Sequence, residues 1–128
     1  MDLNKFKGAI KTRRPLDMAA FDVAYAGAVF EVWVTPTRAH LDEWGDIALF
    51  LQDVQRRLGE MEDEEKEAAL AEWRERSAQW YATTWNLPVE EVREIREALK
   101  ENCPAAWDWL TKRTSAMIGD YRQGKLKN

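Results

Sequence analysis

Apolar residues recur along most of this chain at intervals of three and four, the spacing that gathers side chains on one face of an α-helix. From Leu41 the series runs through Trp44, Ala48, Leu51 and Val54 to Leu58. Thr35-Pro36-Thr37 stands before it, where a hydroxyl can accept the first free amide hydrogens and proline is tolerated in a first turn. Gly45 offers a place to bend, and Gly59 a place to stop. A second stripe, Leu70, Trp73, Ser77, Trp80, Tyr81, Thr84 and Trp85, follows an acidic run at 60–67. Carboxylates there suit the positive end of a helix dipole. Asn86-Leu87-Pro88 must break this helix, because the residue before proline is driven from the helical region and proline cannot continue the ladder. A third helix, starting near Val89, buries Val92, Ile95 and Leu99. Asn102-Cys103-Pro104 then reads as the cap and first turn of a fourth, with the stripe Trp107, Leu110, Thr114, Met117, Ile118 and Tyr121 and an end at Gly124.

Residues 19–34 depart from the helical period. A two-residue turn at Ala26-Gly27 gives a β-hairpin in which Tyr25 faces Ala28, Val23 faces Phe30, Phe21 faces Val32 and Ala19 faces Val34, all on one apolar side. The other side sets Asp22 against Glu31, a like-charge pair, so the hairpin is more firmly implied than its register. Upstream, Leu3, Phe6 and Ile10 are spaced for a short helix. The fold expected is α+β, mainly α, with about four helices and one small N-terminal β-hairpin. Residues 1–18 form a basic N-terminal segment, 19–124 a single mainly helical domain and 125–128 a polar tail; no internal repeat or linker divides the chain.

Composition narrows the setting. At 128 residues, 45% hydrophobic and 33% charged, the chain can bury a core without disulfides or metal. Its single Cys103 and the lack of an export-type leader favour a reducing compartment. The longest apolar stretch is interrupted by Asp22 and Glu31, so no membrane span is expected. Net charge is −4, but it is polarised: residues 1–16 hold five Lys/Arg against one acid, and residues 60–76 hold eight acids against three bases.

Candidate chemistry is sparse. His40 is the only histidine, so every nucleophile–histidine arrangement would need it, and no partner is cued beside it. One Cys and one His cannot build a structural zinc site. Glu62-Asp63-Glu64-Glu65 lacks the alternating ligands and turn glycine of a calcium loop and reads better as a helix start. Gly124-Lys125 lacks the rest of a phosphate loop. No catalytic residue, metal ligand or cofactor is assigned, and the chain reads as a non-enzyme. Seven tryptophans are the anomaly. Most fall on core stripes, but Trp109 follows Trp107 by two residues, and one stripe cannot bury both. The partner-binding candidates are Trp107, Trp109, Trp80 and Trp85, since large aromatics on a small helical body make grooves for an apolar helix.

The order of these pieces resembles the tail assembly chaperones of long, non-contractile-tailed bacteriophages. The matching stretches are Val32-Trp33-Val34-Thr35-Pro36 after a short hairpin, Leu41-Asp42-Glu43-Trp44 in the next helix, and Trp85-Asn86-Leu87-Pro88 before two closing helices, together roughly 20–122. The basic start, residues 1–16, has no counterpart in that pattern. The resemblance implies a non-enzymatic helper in the host cytoplasm that binds the tape measure protein and keeps it soluble until tail tube subunits polymerise around it. It also implies a longer product made by slippage of one nucleotide. Gln123-Gly124-Lys125 permits that, although Gly124 as a helix stop explains the same residues, and the added segment would recruit the tail tube protein. No membrane or nucleic acid partner is implied, and the oligomeric state stays open. Two alternatives remain: a small helical nucleic-acid-binding regulator using basic residues 5–14, and a structural head–tail connector of the virion.

Overall fold

The computed structural model describes residues 1–125; residues 126–128 of the expected polar tail lie outside them. Among the described residues four α-helices, short 3₁₀ turns and one two-stranded antiparallel sheet make up the fold, as the hydrophobic pattern implied. The helices are α1 (Arg38–Arg57), α2 (Asp63–Trp85), α3 (Val89–Asn102) and α4 (Pro104–Arg122). Local chemistry sets their ends. The Thr37 side chain accepts the His40 amide hydrogen at 3.2 Å to cap α1. Asp63, Glu64 and Glu65 occupy the first turn of α2, and Asn86 closes it in the left-handed conformation at φ 54°. Pro104 opens α4, where its missing amide hydrogen costs no helical bond. Upstream, residues Leu3–Phe6 form only a 3₁₀ turn, and Leu3, Phe6 and Ile10 stay exposed.

The hairpin exists, but its first strand is not the one expected. β1 (Arg13–Asp17) pairs with β2 (Val29–Trp33), setting Arg13 against Trp33, Leu16 against Phe30 and Asp17 against Val29. The register Tyr25–Ala28, Val23–Phe30, Phe21–Val32, Ala19–Val34 is therefore overturned, and Glu31 faces Pro15 instead of Asp22. Two aspartates account for the difference. Asp17 accepts the Ala19 amide hydrogen at 2.9 Å and Asp22 that of Ala24 at 2.8 Å, each closing a 3₁₀ turn (Met18–Ala20 and Val23–Tyr25) that competes with a strand ladder. Gly27, at φ 92°, then returns the chain to β2.

Phe30, Val32 and Val34 turn inward as expected, and Phe30 meets Trp85 with ring centroids 4.8 Å apart. Trp33, on the opposite face, is buried as well: its indole donates to the Ile10 carbonyl at 2.7 Å and the Lys11 ammonium lies 3.5 Å from its ring centroid. Arg13 fastens the sheet to the end of α2, its guanidinium donating to the carbonyls of Glu31 at 2.9 Å, Thr84 at 2.8 Å and Thr83 at 3.4 Å. Those last two carbonyls belong to the final turn of a helix, where no amide follows to bond them. The basic start is thus partly consumed in holding the fold together.

α2 is the spine. α1 packs along it, the sheet covers its C-terminal half, and α3 packs on α2 and in turn on α4. Its buried residues Ser77, Trp80, Tyr81, Thr84 and Trp85 follow the expected stripe, joined by Ala78, while Leu70 and Trp73 of that stripe are only half-buried. Two buried threonines donate to the carbonyl one turn back, Thr84 to Trp80 and Thr114 to Leu110, both at 2.8 Å. Thr114 then accepts the Trp85 indole hydrogen at 3.1 Å, so the largest fully buried side chain has its polar atom satisfied. No described helix is long and apolar enough to cross a membrane.

Candidate functional site

The apolar stripe of α1 is only partly covered. Ile47 and Val54 are buried, whereas Trp44 and Leu51 are half-buried and Ala48 is exposed. Trp44, Ile47, Ala48 and Leu51 face a groove of about 890 Å³ that runs between α1 on one side and α3 and α4 on the other, with α2 at its base. Trp44, Ile47, Leu51, Trp73, Tyr81 and Trp107 supply its apolar lining. The volume falls in the range of about 300–1,000 Å³ usual for a pocket that receives an organic group or side chains.

The aromatic lining is rigid because its rings lean on one another. Trp44 packs on Trp80 at 4.5 Å and on Tyr81 at 5.6 Å; Tyr81 stacks on Trp85 at 4.6 Å and meets Trp107 edge-on at 5.9 Å. Offset and edge-to-face contacts of this kind add to the gain from burial. Burial pushes the Tyr81 phenol well above its usual pKa, so it stays neutral.

The rim is charged, mostly positively. Arg74, Arg96, Lys100 and Lys112 stand around the groove against Glu97 and Asp108. Arg96 donates to the Arg74 carbonyl at 2.8 Å, which fixes its guanidinium beside α2. Burial first, and then the nearby Arg74 charge, hold the Arg96 pKa below its ordinary value. One turn earlier Arg93 is neutralised by an ion pair with Glu75. Among the described residues none of the four rim cations has a carboxylate within salt-bridge distance. Ser77 also lines the groove, and its hydroxyl oxygen is buried without a hydrogen-bond partner.

The four candidate tryptophans divide. Trp107 lines the groove. Trp85, 1% exposed, belongs to the core and presents nothing to a partner. Trp80, also buried, stacks flat on His40 at 4.5 Å between ring centroids and donates to the His40 carbonyl at 2.7 Å. Trp109 points away from the groove and rests, half-buried, on Phe21 at 5.8 Å. The two-residue spacing did separate Trp107 from Trp109, but the irregular segment before β2 shelters the second. Trp44, Trp73, Leu51 and the rim cations were not singled out beforehand. The available signal was the α1 stripe, whose apolar residues exceed what one neighbour, α2, can cover.

His40 borders a smaller polar cleft of about 220 Å³ with Glu43, Arg76, Gln79, Trp80 and Thr83. Its Nε2 lies 2.8 Å from the Thr84 hydroxyl. That hydroxyl already gives its hydrogen to the Trp80 carbonyl, so the imidazole donates through Nε2. Burial chiefly, with the Lys11 charge, lowers its pKa to about 4. Among the described residues no three His, Cys, Asp or Glu side chains cluster as metal ligands do.

Comparison with known proteins finds no family model, no curated protein and no solved structure that matches this chain.

Proposed function

We propose that this chain is a non-enzymatic binding protein that takes an apolar helical segment of a partner into the groove between α1 and α3/α4, and that it serves as a tail assembly chaperone for a phage tape measure protein. One observation carries the reading: an aromatic-lined groove of about 890 Å³ left open between α1 and α3/α4. A helix laid in a groove buries its apolar face through side chains at positions i, i+3, i+4 and i+7. A carrier that must later release its cargo is served by a confined apolar surface on an otherwise charged body, since that gives contact without permanent association. Residue patterning supports the chaperone assignment through the stretches 32–36, 41–44 and 85–88. Against the nucleic-acid alternative, Lys11, Arg13 and Arg14 of the basic start contact Trp33, backbone carbonyls and Tyr121.

The test is co-expression with the tape measure protein of the same phage, followed by affinity isolation and by analysis of purified particles. The chain should co-purify with the tape measure protein and be absent from finished virions. Stoichiometric presence in virions would make it a structural connector, and a salt-dependent DNA shift without tape measure binding would make it a regulator.

A further inference from the structure

The groove has a sign as well as a shape. Its rim carries Arg74, Arg96, Lys100 and Lys112 against only Glu97 and Asp108, on a protein whose net charge is −4. The excess is therefore local and opposes the field of the whole molecule. Two acids on this side are engaged, Glu75 with Arg93 and Glu43 with Arg76. Among the described residues no carboxylate stands within salt-bridge distance of the rim cations, although Glu97 and Glu75 act on Arg96 from farther off.

Building on the reading of the groove as a helix dock, we infer that its occupant is an acidic amphipathic helix, whose apolar stripe lies on Trp44, Leu51 and Trp107 and whose flanking carboxylates meet Arg96, Lys100 and Lys112. The placement of Arg96 favours this. Its bond to the Arg74 carbonyl holds the guanidinium at the lip beside a second arginine, with Glu97 and Glu75 also acting on it. A ligand carboxylate placed there meets a fixed guanidinium where another cation would be repelled. Half-burial reduces the screening that weakens fully exposed pairs. Lys100 and Lys112, on α3 and α4, extend the same sign along the far wall. Net charge alone would repel such a helix, so a preference for it that the rim substitutions remove reports the rim, whereas one that survives them reports the basic residues 1–16 and overturns the inference.

Two designed peptides with the same leucine stripe, one flanked by Glu and one by Lys, can be titrated by fluorescence polarisation against the full chain. The acidic peptide should bind at least about ten-fold tighter at low salt, and the gap should narrow at high salt. Arg96→Gln should shrink the gap; because Arg96 also bonds to the backbone, Lys100→Glu with Lys112→Glu, both at exposed positions, repeats the test without that bond. Equal binding of the two peptides, or preference for the basic one, overturns the charge inference and leaves the dock standing. Binding of neither overturns both. Tight binding of a dodecyl carboxylate with no peptide binding, or a dimer by light scattering that closes the groove, would also overturn the inference by assigning the site to a small amphiphile or a second copy.

Discussion

Ser77→Ala should make the protein more stable, which is the opposite of what most substitutions in a buried helix do. Ser77 is 6% exposed on α2, and its hydroxyl oxygen has no hydrogen-bond partner. Keeping such a group from water without a partner costs about 1–3 kcal/mol. Alanine also forms helix better than serine, by about 0.5 kcal/mol. Against this, deleting one oxygen leaves a void far smaller than that of a lost side chain, and the penalty should stay under about 1 kcal/mol. The net expectation is a gain of about 1–2 kcal/mol. Urea titration should move the midpoint upward at constant m-value, and the melting temperature should rise by several degrees. Thr84→Val is the matched control on the same helix. Thr84 is fully buried, but its hydroxyl serves both the Trp80 carbonyl and the His40 ring, so its loss should cost about 1–3 kcal/mol. If Ser77→Ala instead lowers stability, the hydroxyl is bonded in solution and the polar accounting of the groove is wrong.

Three further outcomes can be checked on the isolated protein. Arg13→Gln should lower stability by about 1–3 kcal/mol in urea, because the charge-assisted bonds to Glu31, Thr83 and Thr84 are lost; an unchanged midpoint would mean the sheet is held to α2 by burial alone. Trp109→Ala should cost about 2 kcal/mol, less than the roughly 3–5 kcal/mol of Trp85→Ala, since Trp109 is half-buried against Phe21; equal losses would place Trp109 in the core. His40 makes stability pH-dependent: between its ordinary 6.5 and the folded value of about 4, the unfolded chain takes up a proton that the folded chain refuses. Stability should therefore fall as pH drops through that window and level off below it. A shift of that size amounts to about 3 kcal/mol if fully expressed, reduced by solvent screening of the half-exposed ring to about 1–2 kcal/mol. A His40→Gln variant with the same slope across this window would refute the assignment.

Helix ends were legible because their causes are local. Thr37 before α1, Asn86-Leu87-Pro88 between α2 and α3, and Cys103-Pro104 before α4 act through their own backbone and need no knowledge of tertiary contacts. The first strand was misplaced for the same kind of reason, since the alternation at residues 19–25 is real but Asp17 and Asp22 turn the backbone through bonds two residues ahead. Pro15 then sits in the strand actually used, within the residues 1–18 read as a basic N-terminal segment. The groove was half legible. Trp44, Ala48 and Leu51 announced an apolar face on α1, but periodicity cannot say that α3 and α4 stop short of covering it. Its rim could not be foreseen, because Arg74, Arg96, Lys100 and Lys112 come from three helices and converge only in the fold.

Filling the groove tests the central claim most directly. Ala48 lines it from α1 at an exposed position, so Ala48→Trp occupies the site without disturbing the core. The measurement is the soluble fraction of co-expressed tape measure protein with each form of the chain, alongside a circular dichroism melt of the variant. Wild type should hold the tape measure protein in solution, and a fully folded Ala48→Trp variant should fail to do so. A folded variant that solubilises it as well as wild type would contradict the account, because the partner would then be held somewhere other than the groove.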